Sequence, residues 1–241
     1  MVTVARMKRL FVSILTLGFA TGLGLVPFVR AQTSDNVMKA APAPAVVHFV
    51  KIDPGVAAKV LPEPPAAGSL AANADVETVL QVQAARTSEQ VAWAKVVATN
   101  DLFAVYGAEG LLGPKFSKEN FPLLAALVKN ATDDLRPPVD ASKKLYSRPR
   151  PFAVDPRVKP CVELPTNDSY PSGHTWNAYV RATVLAEVFP EKRAALFDRA
   201  RSIAWARVIG GVHFPTDLDG GRRLAEGCVR SEEHTSELQS R

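Results

Sequence analysis

One segment of the chain is apolar on almost every side of a helix, and it limits the possible folds more than any other feature. Between Thr175 and Phe189, the strongly polar side chains are Asn177, Arg181 and Glu187. A helix that is apolar all round has to be covered by other elements. The segment therefore predicts a buried central helix.

Helical patterns also precede and follow this segment. Apolar side chains recur at three-to-four spacing after Asn73, and Thr87 and Gln90 have the spacing of a capping box. Because no run of alternating β-branched residues occurs, we expect an all-α fold, a single-domain helical bundle over residues 73–229. Further helices are expected to start at Asn100–Asp101 and at Pro215, to run from Ser117 to Leu135, where Pro137–Pro138 stop the helix, and to run from Pro190 to Ile209, where Gly210–Gly211 end it. No helix is expected over residues 148–171.

The two ends of the chain differ from this body. Residues 1–31 have a basic start and then an apolar stretch, which predicts a signal peptide cleaved after Ala31, with an uncleaved anchor as the alternative. We therefore expect a periplasmic or secreted protein without stable membrane insertion after cleavage. Residues 32–72 are rich in Pro and Ala and predict an extended lead-in. Residues 230–241 look like a translated sequencing-library adapter, which implies a truncated domain, so no functional residue is expected among them, His234 included.

The positive charge of the chain is concentrated in its first residues. The 241 residues have a formal net charge of +5, but residues 32–229 hold 23 bases and 21 acids, a net charge of +2. Such a balance gives no sign of a nucleic-acid surface. The sequence leaves the oligomeric state open, and a homo-oligomer is compatible with it.

His174 lies in a dense polar context. It follows Ser172 and Gly173 just before the apolar helix, so these residues are expected at a helix N-terminus. Unpaired backbone N–H groups and the helix dipole favour an anion at such a position. An ordinary helix cap with a solvated histidine is the alternative.

His213 is followed four residues later by Asp217, with Pro215 between them. At a helix start, this spacing lets the carboxylate accept a hydrogen bond from the imidazole, which leaves the second ring nitrogen available as a nucleophile. A structural His–Asp pair and a metal-binding pair are the alternatives, although no His or Cys cluster supplies the remaining ligands.

Three basic residues accompany the histidines. Lys143 and Arg150 flank a stretch that ends in Pro151, and Arg207 lies in an apolar segment six residues before His213. An Arg among apolar residues usually has an anionic partner, whereas exposed Lys and Arg side chains mostly face solvent.

Together these residues form an ordered signature: Lys143, six residues, Arg150-Pro151; then Pro171-Ser172-Gly173-His174; then Arg207, five residues, His213, three residues, Asp217. The signature resembles that of the phosphatidic acid phosphatase type 2 superfamily and, within it, the class A bacterial non-specific acid phosphatases. The resemblance extends over residues 60–229. Ala206 stands where the family usually has Ser, which affects fine orientation but no charge that the chemistry needs.

The resemblance implies a helical fold of the acid phosphatase/vanadium haloperoxidase type. It also implies an acid phosphatase that hydrolyses small-molecule phosphate monoesters of broad range, with no metal or other cofactor. His213 would attack phosphorus to form a phosphohistidine, Asp217 would stabilise the charged ring, and His174 would protonate the leaving oxygen. The phosphate-binding residues would be Lys143, Arg150, Ser172, Gly173 and Arg207.

Other functions share part of this signature or chemistry. In a vanadium-dependent haloperoxidase, His213 would ligate vanadate. A lipid phosphate phosphatase would need membrane spans or an apolar docking face. An exported phosphate-binding module is the non-enzymatic alternative, although binding alone does not need both His213 and Asp217.

The chain has two cysteines, Cys161 and Cys228. Because export permits disulfides, we expect a bridge between them. The alternative is that the partner of Cys228 lies in a lost C-terminal segment.

Overall fold

The computed structural model describes residues 47–49 and 51–239, with side chains up to residue 231. Every regular element in this part of the chain is a helix, which confirms the all-α prediction. The predicted signal peptide, residues 1–31, lies outside the described residues.

The α-helices are α1 (Val56–Val60), α2 (Leu70–Ala85), α3 (Ser88–Ala98), α4 (Leu102–Gly107), α5 (Pro122–Asp134), α6 (Pro137–Tyr146), α7 (Pro151–Val154), α8 (Gly173–Val188), α9 (Arg193–Ile209) and α10 (Pro215–Gln239), with 3₁₀ turns at Ala108–Gly110 and Pro190–Lys192.

Helix α8 lies at the centre of the packing, in contact with α5, α9 and α10. Its buried residues occur on every side, as in the consecutive run Thr175 to Val180. This confirms the prediction of a buried central helix. The Ser172 hydroxyl caps α8 by accepting a hydrogen bond from the backbone N–H of Thr175 at 3.3 Å, which places Gly173 and His174 in the first turn.

Proline positions explain the helix boundaries that were predicted wrongly. The helix expected from Ser117 begins at Pro122, and Pro137–Pro138 begin α6 rather than only stopping the preceding helix. Proline fits the first turn of a helix because no backbone N–H is needed there. For the same reason, Pro151 begins the short helix α7 within the segment 148–171 that was expected to hold no helix.

Side-chain caps determine three other helix starts. Helix α2 is capped by Ser69, whose hydroxyl accepts from the backbone N–H of Ala72 at 3.1 Å, and not by Asn73 as expected. The capping box of Thr87 and Gln90 on α3 is present as predicted. Asp101 caps α4 at the predicted position.

The described part of the lead-in is only partly extended. It contains α1, which contacts α6 and α10, and the start of α2. The Tyr170 hydroxyl donates to the backbone carbonyl of Pro62 at 2.7 Å, so the lead-in is attached next to Ser172 and Gly173. At the other end, the backbone of α10 continues as a helix through residues 230–239.

None of the helices in the described part of the chain combines the length and the apolar character needed to cross a bilayer.

The structure does not contain the predicted disulfide. The Sγ of Cys161 faces the backbone carbonyl of Ile209 at 3.6 Å, at the end of α9. The Sγ of Cys228 lies 3.9 Å from the carbonyl of Leu135, which follows α5. The two thiols occupy different parts of the helical body and are not bonded to each other.

Candidate active site

The pair of His213 and Asp217 forms at the start of α10. His213 comes two residues before Pro215, the first residue of the helix, and Asp217 lies in the first turn. The imidazole Nδ1 and the carboxylate Oδ2 are 3.0 Å apart, and both side chains are buried. The carboxylate therefore favours the tautomer with the proton on Nδ1, which leaves the lone pair on Nε2.

Three donors hold the Asp217 carboxylate in place. Oδ1 accepts a hydrogen bond from Arg148 at 2.6 Å, while Oδ2 accepts from the Ser169 hydroxyl at 2.5 Å and from the backbone N–H of Phe214 at 2.9 Å. These bonds fix the orientation of the carboxylate and, through it, the imidazole ring of His213.

Arg148, which the motif pattern did not mark, connects this pair to α2. Its second terminal nitrogen donates to Asp75 at 2.8 Å. Asp75 also accepts from the hydroxyl and the backbone N–H of Thr216, so three buried charged side chains form one network. The repeated Arg-Pro dipeptide at 148–151 was the one sequence signal for Arg148, and nothing in the sequence distinguished Asp75 from other helical acids.

Several of the predicted site residues line one cavity of about 200 Å³. They are Lys143, Arg150, Gly173, His174 and His213, and the remaining wall is formed by Asn100, Arg136, Pro165 and Asn167. Ser172, Arg207 and Asp217 do not line the cavity, and each is at most 2 % exposed.

Arg150 is fixed against the rim of this cavity. Its Nε and one terminal nitrogen donate to the backbone and side-chain oxygens of Asn167 at 2.9 and 2.6 Å. The other terminal nitrogen donates to the carbonyl of Val212 at 2.7 Å and lies 2.8 Å from Nε2 of His213. One guanidinium N–H of Arg150 therefore donates a hydrogen bond to the lone pair on Nε2 of His213.

Arg207 is the most deeply buried cation of the site. Its Nε and one terminal nitrogen have no hydrogen-bond partner among the residues that the structure describes. Burial and the nearby Arg150 lower the pKa of Arg207 to about 10, so it stays charged at neutral pH. Because buried N–H groups without acceptors are costly, these two groups favour an acceptor beside Arg207.

The two histidines are neutral in this environment. Burial, Arg150 and Lys143 place the pKa of His213 well below its usual value. Burial and Arg207 lower the pKa of His174 to about 3, although its hydrogen bond to the backbone carbonyl of Ala98 acts in the opposite direction. A neutral His213 has the lone pair that a nucleophile needs, and an anion bound between the cations would raise the pKa of His174 again.

Lys143 makes anion binding depend on pH. Its ammonium group donates to the backbone carbonyl of Asp168, and burial and Arg150 lower the pKa of Lys143 to about 7. Lys143 is therefore charged below pH 7 and neutral above it. We expect the Kd for sulfate, which stays a dianion, to rise by up to about tenfold per pH unit above pH ~7. Isothermal titration calorimetry from pH ~6 to ~8.5 measures this change.

Two substitutions distinguish the titration of Lys143 from the effect of removing any one positive charge. Lys143→Met should weaken sulfate binding and remove the pH dependence above pH ~7, while the contribution of His174, whose pKa the bound anion raises, remains at lower pH. Lys144→Met, a change at the exposed neighbouring residue, should leave the pH profile unchanged. A sulfate Kd that does not vary with pH in the parent protein contradicts the role assigned to Lys143.

The described residues offer no group of three or more His, Cys, Asp or Glu side chains that could hold a metal ion.

The comparison with known families agrees with this geometry. A family model described as the PAP2 superfamily matches residues 122–230, which include all three parts of the signature. The match covers somewhat less than half of the 241 residues. The resemblance inferred from the motifs is confirmed.

Curated proteins that are similar to this chain are named acid phosphatases. A non-specific acid phosphatase of Providencia stuartii is 33% identical over 132 residues, which cover 53% of this chain and 53% of that protein. A non-specific acid phosphatase of Salmonella typhimurium is 41% identical over 86 residues, 34% of each chain. The chain thus spans about half the length of the first of these relatives and a third of the second.

A solved structure shares the fold. The crystal structure of a bacterial vanadium-dependent iodoperoxidase aligns with a TM-score of 0.53 and 21% identity, over 73% of this chain and 53% of that one. The helical fold expected from the resemblance is therefore confirmed.

Proposed function

We propose that the chain is an exported acid phosphatase that hydrolyses small-molecule phosphate monoesters through a phosphohistidine, without a metal ion. The main support for the proposal is the arrangement of the side chains around His213. Asp217 holds its Nδ1, and the ring lines a cavity that also contains Lys143 and Arg150. The PAP2 domain and the names of the curated relatives support the same chemistry.

The basic residues of the site would bind the phosphate. A phosphate monoester is a dianion, and its transfer needs neutralised equatorial oxygens. Arg150 and Lys143 supply charge at the cavity wall, and Arg207 supplies the two unpartnered N–H groups. The backbone N–H of Gly173 adds a donor at the N-terminus of α8. Three cations thus provide the charge stabilisation that a metal ion provides in other phosphatases.

The first chemical step would form the phosphohistidine. Arg150 transfers its hydrogen bond from Nε2 of His213 to a phosphate oxygen, because its N–H otherwise blocks the lone pair. The lone pair then forms the N–P bond while the ester P–O bond breaks in line with it. His174 gives its proton to the leaving oxygen, and Asp217 stabilises the positive charge on the ring of His213.

The second step would release phosphate. His174, now neutral, removes a proton from water as the water oxygen attacks phosphorus and the N–P bond breaks. The electron pair of that bond returns to Nε2. His174 has to be protonated at the start of each cycle, which predicts greater activity on the acid side of neutrality.

Hydrolysis of p-nitrophenyl phosphate tests the proposal. We expect turnover at acid pH in the periplasmic or secreted fraction of a bacterium that expresses the full chain. Excess EDTA should leave the rate unchanged, because the charge at the phosphate comes from side chains. The release of p-nitrophenol, measured by absorbance, gives the rate.

The His213→Ala chain, expressed in the same host, is the control for host phosphatases. Loss of activity with EDTA that zinc or magnesium restores contradicts the metal-independent mechanism. Activity confined to the cytosol contradicts export.

A further inference from the structure

A second cavity lies next to the candidate active site. It has a volume of about 310 Å³, and Asn100 and Arg136 line both this cavity and the one that contains His213. A substrate bound through its phosphate at His213 therefore has an adjoining space for the other end of the molecule.

Arg181, on α8, is a cation in the wall of this second cavity. One terminal nitrogen donates to the backbone and side-chain oxygens of Asn100 at 2.9 and 3.2 Å. Its Nε–H, which is buried, has no partner among residues 47–49 and 51–231. Burial also lowers the pKa of Arg181. A guanidinium that is bonded only to neutral oxygens is costly to bury, and an anion beside it would offset that cost.

Two neighbours on α8 are also unsatisfied. The indole N–H of Trp176 and the side-chain oxygen of Asn177 have no hydrogen-bond partner in the described part of the chain. Both side chains are more than nine-tenths buried, and both belong to the same wall. Because an indole N–H and a guanidinium N–H can only donate, these two groups favour a ligand with acceptor oxygens, whereas the Asn177 oxygen needs a donor such as a ligand hydroxyl.

The charges around the cavity favour an anion too. The lining contains four basic and two acidic side chains, Lys118, Lys129, Arg136, Arg181, Asp101 and Asp133. Lys129 and Asp133 form an exposed pair that neutralises one charge of each sign. Arg136 in turn lies 3.4 Å from Asp140, but Lys118 and Arg181 still outnumber Asp101, so the balance remains positive.

We propose that the second cavity binds a second phosphate or phosphonate group of the substrate. The preferred monoesters would then be those whose leaving alcohol carries its own dianion. This inference rests on the proposed function, because it assumes that the phosphate to be cleaved lies at His213.

Non-hydrolysable ligands test the inference without turnover. Alkane bisphosphonates of two to six carbons are compared with alkyl monophosphonates of the same length by isothermal titration calorimetry. A bisphosphonate has two equivalent ends, which alone makes its binding about twofold tighter than that of the monophosphonate. At the chain length that spans both cavities, we expect a further increase in affinity of about tenfold. Arg181→Gln keeps a donor for Asn100 but removes the charge, and it should reduce the preference to the statistical factor. Lys118→Ala should reduce it in part.

Lys115→Ala is the matched control, because Lys115 is an exposed lysine of the same loop that does not line the cavity. It should retain the full preference. No preference at any chain length, or one that survives both Arg181→Gln and Lys118→Ala, overturns the inference. Turnover of p-nitrophenyl phosphate is measured separately: its absence overturns the proposed function, while the binding comparison still decides the second anion site.

Discussion

Replacing His213 by alanine should lower the turnover of every phosphate monoester by at least about a thousandfold, because the nucleophile is lost. His174→Ala should instead be selective. It removes the proton donor, so alkyl phosphates should lose far more activity than p-nitrophenyl phosphate, whose leaving group departs without protonation. Steady-state rates across esters with leaving groups of graded basicity measure the difference.

A denaturing quench shows the intermediate directly. Radiolabelled phosphate should be trapped on the His174→Ala protein, in which water activation is slow, and absent from the His213→Ala protein. Thermal melts of both variants check that the comparison concerns folded protein. Equal losses for all leaving groups, with no trapped phosphate in either variant, would falsify the assignment of the two roles.

Substituting Gly221 by alanine should destabilise the domain by about 3 kcal/mol and distort the phosphate site. A Cβ atom at this position would lie 2.5 Å from the carbonyl oxygen of Ser172 and 2.9 Å from the Cβ of Thr175. That carbonyl accepts the first hydrogen bond of α8, from the backbone N–H of Trp176 at 3.0 Å. Either α8 or α10 has to shift. Urea unfolding and the KM for p-nitrophenyl phosphate measure the two effects.

Gly107→Ala provides the control. Gly107 has a helical backbone, with φ of −87°, and the nearest atom to an added Cβ is a Phe116 ring carbon at 3.4 Å. Its substitution should change the free energy of unfolding by less than about 1 kcal/mol. A Gly221→Ala protein as stable and active as the Gly107→Ala protein contradicts the close packing of α8 against α10.

The sequence could predict features that depend on neighbouring residues. The capping box of Thr87 and Gln90 is a local hydrogen-bond pattern, and the structure contains it. The spacing of His213 and Asp217 likewise predicts the 3.0 Å contact, because four residues at a helix start bring the two side chains together. The burial of the apolar helix was predictable for a similar reason, because a helix with apolar side chains on every side has to be covered by other elements.

Features that depend on distant residues were not predictable in this way. Asp75 and Arg148 are 73 positions apart, and neither has a local pattern that reveals the partner. The disulfide was inferred from cysteine number and compartment, which carry no information on distance, and the structure places the two sulfurs at different carbonyls. Proline was ambiguous because the same ring that stops one helix can begin the next, as at Pro137.

The link through Arg148 has a consequence for how the domain matures. This one guanidinium joins a carboxylate from α2 with the carboxylate of α10 that orients His213. During synthesis, Asp217 leaves the ribosome long after Asp75, so the network closes only when the segment from Asp75 to Asp217 has been made. Such distant contacts form late because the intervening chain must first be ordered. Recovery of the proposed activity during refolding would therefore report that α2 and α10 have come together, and a fragment lacking either Asp75 or Asp217 could not form the network.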